Sequence, residues 1–525
     1  MRCIPAILLT ILMLSSAVII VSDYSAAEGE LYHDGKFTFI LDSSGNAILT
    51  DYDNKDPEQN VIIHSPLTAK ENHQSYTLVE IRNGFTSPVI ESISIPSSVT
   101  TIGREAFNGA SGIKRFIVDG GTNFRVDAND VLYTYDWHRL IRFPSNSSVT
   151  DYTIHPETSE IFESAFFGSN KLTSVTFDNN LIKISDGAFV KCTNLATVNF
   201  NPSLSVIGNS AFYNCTSLTS VTLPDTLILI GNHAFYKSGL SGTVNIPYGV
   251  EFIGDAAFAD CSNLTGFTSD NYRYPAPTQG DDSGILFKGG DDNRSIICYP
   301  SNRSATEYTI PAKSGIEPNA FEGCVNLKTI HLPNDYTSIP EMSFYGCSSL
   351  EKIDIEKISV IGAFAFFNCT KMTSIDFSDK LLVIGECAFM MSGLTKLDIP
   401  SNVVTVNSLA FSGCSSLTEV TVAESSKATF KEDVFSADFN LKTITINSKD
   451  VTLSEYSLDI GNYDTHATVD VYVKHGYSLP SGVSGNNTTL NVKVIGERPY
   501  PWVNIIGAVV CAIGIIGILY GMRQV

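Results

Sequence analysis

Two tryptophans, nine histidines and a charged fraction of 17% are little reactive chemistry for a chain of 525 residues. Charged residues fall below the usual quarter. Ser, Thr and Asn fill the gap, as expected of a surface that meets water and glycans. The histidines are scattered, and no Gly-x-Ser-x-Gly elbow, His-Glu-x-x-His pair or Walker loop occurs. The common hydrolase, metallopeptidase and nucleotide-binding chemistries therefore have no residues to carry them, and neither an enzyme nor a cofactor is expected. Basic side chains are also scarce: 34 Lys and Arg stand against 55 Asp and Glu, for a net charge of −21. An acidic body repels phosphate backbones, which excludes nucleic acid as a partner.

Apolar residues make up 43% of the chain, enough for a continuous core, and both ends are strongly apolar. Arg2 precedes an apolar run from Ile4 to Val21, and Ser25-Ala26-Ala27 supplies small residues before Glu28. This is the pattern of a secretory signal, residues 1–27. Val503 to Tyr520 is free of charge. At the helical rise this run spans about 27 Å, enough to cross a hydrocarbon core. Tyr500, Trp502 and Tyr520 flank it as interfacial aromatics. Residues 499–525 are thus expected to be a membrane anchor with a short tail. Together the ends predict a single-pass protein whose body lies at the cell surface.

What the chain has in plenty is phenylalanine at a fixed step. Phe85, Phe107, Phe166, Phe189, Phe212, Phe235, Phe258, Phe321, Phe344, Phe366, Phe389, Phe411 and Phe435 each close a similar phrase. The step is 22–24 residues except for two long gaps, of 59 and 63. A period in this range marks a leucine-rich solenoid. In the coil Leu218-Thr219-Ser220-Val221-Thr222-Leu223-Pro224 the alternation reads as a strand, which the proline ends. A second apolar run closes in Ile-Gly (Ile207-Gly208, Ile230-Gly231, Ile384-Gly385), where the glycine is expected to supply positive φ for a bend. Ala-Phe follows, its ring driven into the core between coils. Phe189, Phe212, Phe235, Phe258, Phe344, Phe366, Phe389 and Phe411 are the predicted repeat core.

The phrases Leu-Thr-Ser-Val-Thr-Leu-Pro and Ile-Gly-x-x-Ala-Phe-x-x-Cys resemble those of the BspA-like leucine-rich repeat family of cell-surface proteins. The resemblance covers about Tyr76 to Ile446. It implies a β-rich solenoid, surface exposure, and roles in adhesion or protein contact, but no particular ligand.

The expected fold is mainly β: a solenoid of about 13 coils over residues 76–446, with hairpin-like insertions at about 117–155 and 267–310. β-rich caps are expected at 28–75 and 447–498, ahead of a C-terminal transmembrane helix. Protruding insertions are where repeat proteins often recognise partners. Asp281-Asp282 and Asp291-Asp292, in the second insertion, lack the spacing of a calcium loop and read as a solvated turn. No metal site is assigned.

Seven cysteines stand three residues after a phenylalanine: Cys192, Cys215, Cys261, Cys324, Cys347, Cys369 and Cys414. Ser169, Ser238 and Ser392 fill the same slot elsewhere, and stacked equivalent side chains point the same way. Free, buried thiols are expected rather than disulfides. Eight Asn-x-Ser/Thr sequons occur, among them Asn214 and Asn368 beside this slot.

One outward strand position reads His331, Asp354, Asp376 and Asp398 in successive coils. In-register carboxylates about 4.8 Å apart would repel, and Lys352 and Lys396 nearby are expected to relieve them. This row is the candidate contact face. The function expected is a membrane-anchored surface protein that binds a protein or glycan outside the cell. The alternative is a structural coat component that mainly self-associates.

Overall fold

The computed structural model describes residues 30–290, 293–461, 466–485 and 488–495. The signal expected at 1–27 and the membrane anchor expected at 499–525 lie outside these residues. The chain divides into two compact units: Met1–Pro333 with Met342–Ser349, and Asn334–Glu341 with Leu350–Val525. Both are built from short β-strands and turns, and no helix occurs among the described residues. No helix there is long and apolar enough to cross a membrane.

The Ile-Gly run of each coil forms a parallel ladder. In the first unit Ile161, Ile184, Ile207, Ile230 and Ile253 are in register along it. In the second, Ile339, Ile361, Ile384, Val406, Phe430 and Leu453 repeat the arrangement. These inward side chains are buried throughout. The Leu-x-x-Val-x-Leu run makes the other side of the coil, and its ladder is interrupted. Asp151–Thr153, Ser174–Thr176 and Thr197–Asn199 form one sheet, and Ser241–Ile246 pairs with Asn263–Ser269. Residues 218–224 between them are not a strand, contrary to the alternation, and meet the next coil through single bonds such as Ser241 N–H to Thr219 O, 2.9 Å.

The phenylalanine rings stack between coils. Phe189 lies 5.0 Å from Phe212 at 4°, Phe212 5.3 Å from Phe235 at 6°, and Phe389 5.4 Å from Phe411 at 10°. Two rings not counted among the repeats join the column: Phe143 stacks on Phe166 at 5.0 Å and Tyr299 on Phe321 at 5.1 Å. Of the strands before them, Arg139–Arg142 joins the Ile ladder in parallel, and Ser295–Cys298 pairs in parallel with Gly315–Ile316. Each insertion therefore holds a full coil with antiparallel strands added to it: Phe124–Val126 pairs with Leu132–Thr134, which pairs with Arg139–Arg142, and Leu286–Lys288 pairs with Ser295–Cys298. The solenoid has more coils than the thirteen expected.

The Ile-Gly glycines are also not what the bend suggested. Gly208, Gly231, Gly254, Gly362 and Gly385 do not have positive φ. Instead, a Cβ on Gly231 would stand 2.5 Å from Asn209 N and Gly208 C, and one on Gly385 2.5 Å from Gly362 C. Glycine is required because the coils approach backbone to backbone. The left-handed residues lie elsewhere, two before and two after the phenylalanine: Ser210 and Asn214, His233 and Lys237, Phe364 and Asn368. Such a conformation costs a residue with a Cβ about 1–2 kcal/mol. It turns alternate N–H groups toward the next coil: Ser210 to Asn232 O, Phe212 to Ala234 O and Asn214 to Tyr236 O, at 2.7–2.8 Å. Backbone hydrogen bonds offset the strain once per coil. Asn tolerates this conformation best, which explains the sequons at Asn214 and Asn368.

At the start, Tyr32–Asp34, Phe37–Leu41 and Ala47–Tyr52 run antiparallel, and the last pairs in parallel with Leu78–Ile81. At the end, Thr443–Ile446, Ala467–Lys474 and Thr488–Ile495 extend the outer ladder in parallel.

Candidate functional site

The cysteine slot is a donor position. Cys192 Sγ lies 3.0 Å from Phe166 O, Cys215 Sγ 3.1 Å from Phe189 O, and Cys347 Sγ 3.1 Å from Phe321 O. Each thiol donates to the carbonyl of the phenylalanine, or of the tyrosine Tyr299 for Cys324 at 3.5 Å, one coil earlier. Cys369 occupies the same place and is fully buried. No disulfide links the cysteines of the described residues, and all nine are buried. Burial pushes the Cys192 and Cys261 thiols up to about 12, so these groups are packing elements rather than nucleophiles.

The candidate contact row divides between the units. His331, in the first, ends the strand Thr329–His331, and its Nε2 lies 2.8 Å from Glu307 Oε1 of the neighbouring strand. Asp354, Asp376 and Asp398, in the second, are all exposed. Asp398 sits in the strand Lys396–Ile399 opposite Thr421. Asp376 lies in a stretch without strand pairing, so the continuous ladder of carboxylates expected from the repeat is interrupted there. Lys396 Nζ contacts Glu419 at 2.8 Å. That hydrogen bond, more than the charge of Asp398, holds the ammonium above its ordinary value. Its main partner is therefore on the following coil.

The two hairpin islands share a lock that the sequence did not reveal. In the first, Tyr152 donates to Asp127 Oδ2 at 2.7 Å, and Tyr133 OH lies 2.6 Å from Tyr152 OH. In the second, Tyr308 donates to Asp282 Oδ1 at 2.8 Å, and Arg294 Nη2 lies 2.5 Å from Asp282 Oδ2. Asp281 and Asp282 do lie in a turn, where Asp281 is exposed, and Asp282 is in addition a ligand of tyrosine and arginine. Asp291 and Asp292 lie outside the described residues. No three His, Cys, Asp or Glu side chains gather as a metal centre requires among the described residues. In the first island Trp137 stacks on His155 at 4.1 Å, and the Arg125 guanidinium lies 4.8 Å from its ring centre.

Two buried polar side chains, Arg142 in the first insertion and Glu322 just past the second, bond to distant coils. Arg142 is 3% exposed. It donates to Asn108 Oδ1 at 2.8 Å, Ser164 O at 2.5 Å and Phe107 O at 3.1 Å. Glu322, 1% exposed, accepts from the hydroxyl of Tyr236 and from Asn319 Nδ2 at 2.7 Å. Burial raises its carboxyl to about 7, with Asp260 adding to the effect and Lys237 opposing it. Neither residue stood out in the sequence, because their partners lie far along the chain.

Parallel ladders, stacked rings and inter-coil turn bonds define a leucine-rich-repeat solenoid. The family model of the BspA type leucine rich repeat region matches residues 80–124, 142–265, 297–381 and 355–461, and the chain belongs to that family. The breaks in the match fall on the island hairpins, while Phe143 and Tyr299 lie inside it. Among solved structures, the chain is similar to a leucine rich cell surface protein from Faecalibacterium prausnitzii: 24% identity, 82% of this chain and 96% of that one, TM-score 0.45. It is similar also to the pneumococcal vaccine antigen PcpA: 18% identity, 90% and 99% covered, TM-score 0.42. A leucine-rich repeat protein from Bacteroides ovatus gives 19% identity, 89% and 100% covered, and a TM-score of 0.31. Comparison with curated proteins gives no match.

Proposed function

We propose that this chain is a cell-surface recognition module, anchored in the membrane by residues 499–525, that binds a protein or glycan outside the cell. The observation that carries the reading is the repeated, solvent-exposed strand face, which presents short polar side chains coil after coil. Thr243, Asn245, Thr265 and Thr268 are examples. Repetition multiplies weak contacts into avidity. The acidic residues Asp354, Asp376 and Asp398 belong to such a face in the second unit. The family, the apolar ends and the absence of a recognisable catalytic motif support a binding role over an enzymatic one.

Cells displaying the full-length chain, and matched cells lacking it, can be washed over immobilised matrix proteins and glycans. Retention that depends on the chain is expected. Equal retention of both cell types on every surface would contradict the proposal. The coat-like alternative draws on Ile182, Ile228 and Phe252, which are exposed beside the Ile ladder. Concentration-dependent self-association of the purified protein, lost in Ile228→Asp, would favour it.

A further inference from the structure

Tyr248 and Tyr272 are 67% and 61% exposed. They hold the same position in consecutive coils, just past the strands Ser241–Ile246 and Asn263–Ser269. Their ring centroids are 6.3 Å apart and their planes cross at 52°. A single exposed tyrosine is ordinary. Two on consecutive turns, with their rings tilted at 52° to each other, make a shaped aromatic surface.

The surface is held in place from beneath. Asn271 is 1% exposed. Its Nδ2 lies 3.1 Å from Pro247 O, 3.0 Å from Tyr248 O and 2.7 Å from Val250 O. Its Oδ1 accepts from Arg273 N at 2.9 Å. The side chain that precedes Tyr272 therefore pins the turn that carries Tyr248. Fixing a contact surface before binding removes part of the ordering cost, and tyrosine loses little rotamer freedom.

The strands leading to the pair are polar and uncharged, and the exposed Asp270 stands two residues before Tyr272. Neither Ser241–Pro247 nor Cys261–Ser269 contains a charged residue, in a chain of net charge −21. The exposed strand positions leading to the tyrosines are Thr243, Asn245, Thr265 and Thr268. Asp225 precedes Tyr248 in the same row of turns, and the Arg273 guanidinium lies 4.9 Å from the Tyr272 ring centre.

We infer that Tyr248 and Tyr272 form a binding platform for a neutral glycan, a site that rests on the surface-recognition reading above. The C–H face of a sugar ring packs on an aromatic face, while its hydroxyls bond hydroxyl and amide side chains that carry no charge. Asp225 supplies a strong acceptor for sugar hydroxyls at one end, and Arg273 donors at the other. A basic peptide is the poorer fit, because the Arg273 guanidinium beside the Tyr272 ring opposes it.

Purified full-length protein, free of sugar-based detergent, is titrated calorimetrically with chitotetraose, laminaritetraose and mannotetraose, and with an oligolysine peptide. At least one tetrasaccharide is expected to bind. Tyr248→Ala/Tyr272→Ala should weaken that binding by about tenfold or more, with the melting temperature within about 2 °C of the parent because both rings are exposed. Asp225→Asn should weaken binding without altering the melting temperature. Failure of every tetrasaccharide to bind, undiminished binding by the double variant, or oligolysine binding that the double variant loses would overturn the platform. The washing experiment separates the two claims. Retention that survives the double variant sinks the tyrosine platform alone, whereas no chain-dependent retention on any surface sinks the recognition reading itself.

Discussion

The thiol of Cys215 donates to the carbonyl of Phe189, 3.1 Å away and one coil back. The position takes a small side chain, as Ala110 and Ser169 show in other coils, and here the thiol also supplies a hydrogen. Cys215→Ser keeps both features and is expected to cost about 1 kcal/mol or less. Cys215→Ala leaves a buried carbonyl without its donor and should cost about 1–2 kcal/mol. Denaturant titration of the two variants checks the order. Thiol-specific alkylation should reach these cysteines only after unfolding, and Cys324 should not be found linked to Cys347.

Glycine and non-glycine positions should respond with opposite signs. Gly385→Ala would place a Cβ 2.5 Å from the Gly362 backbone and force the coils apart. A loss of about 3 kcal/mol is expected. Leu409, at φ 59, pays for a left-handed conformation that glycine adopts freely. Leu409→Gly is expected to be neutral or to stabilise by up to about 1 kcal/mol. Thermal denaturation of each variant distinguishes this arrangement from the reverse assignment, in which the Ile-Gly glycine supplies the bend.

The repeat was legible because Phe189 and Phe212 announce themselves by spacing alone. The role of Gly231 was not, because the atoms that exclude a Cβ belong to Gly208 and Asn209, a full coil earlier. Local sequence suggests a bend; only stacking reveals the close approach. Phe143 and Tyr299 do not stand out because each is followed at once by a proline, Pro144 and Pro300, and one is not phenylalanine. Their distances of 23 residues to Phe166 and 22 to Phe321 carried the signal. The locks at Asp127 and Asp282 depend on tyrosines 25 and 26 residues away, and no local pattern marks them. The short outer strands were over-read at 218–224, where alternation is present but pairing is not.

Two buried carboxyls make stability depend on pH. Glu322 is raised to about 7 by burial, and burial raises Asp438 as well. A raised folded-state value means that the protonated form is favoured on folding. For Glu322 the stabilisation is complete below its ordinary value of 4.5 and is lost as pH rises through about 7. The melting temperature is expected to fall between about pH 5 and pH 8, and Glu322→Gln should flatten that slope. Asp438 occupies the cysteine slot with neither carboxyl oxygen hydrogen-bonded. Asp438→Ser supplies a neutral donor there and is expected to raise the melting temperature at neutral pH.

Replacing Asp354, Asp376 and Asp398 together by Asn removes three exposed charges from a chain that is already strongly acidic. The melting temperature should be unchanged or slightly higher. If this face is the contact site for a basic partner, binding of oligolysine by the parent should disappear in the triple variant. Undiminished binding would assign recognition elsewhere on the solenoid.

The account stands most directly on where the solenoid lies. Intact cells carrying the full-length chain can be treated with a membrane-impermeant amine reagent, and the modified lysines mapped by mass spectrometry. Lys396, 69% exposed at its side chain, and Lys114, 52% exposed, should be labelled without lysis. Protection of both until the membrane is opened would contradict a cell-surface recognition module.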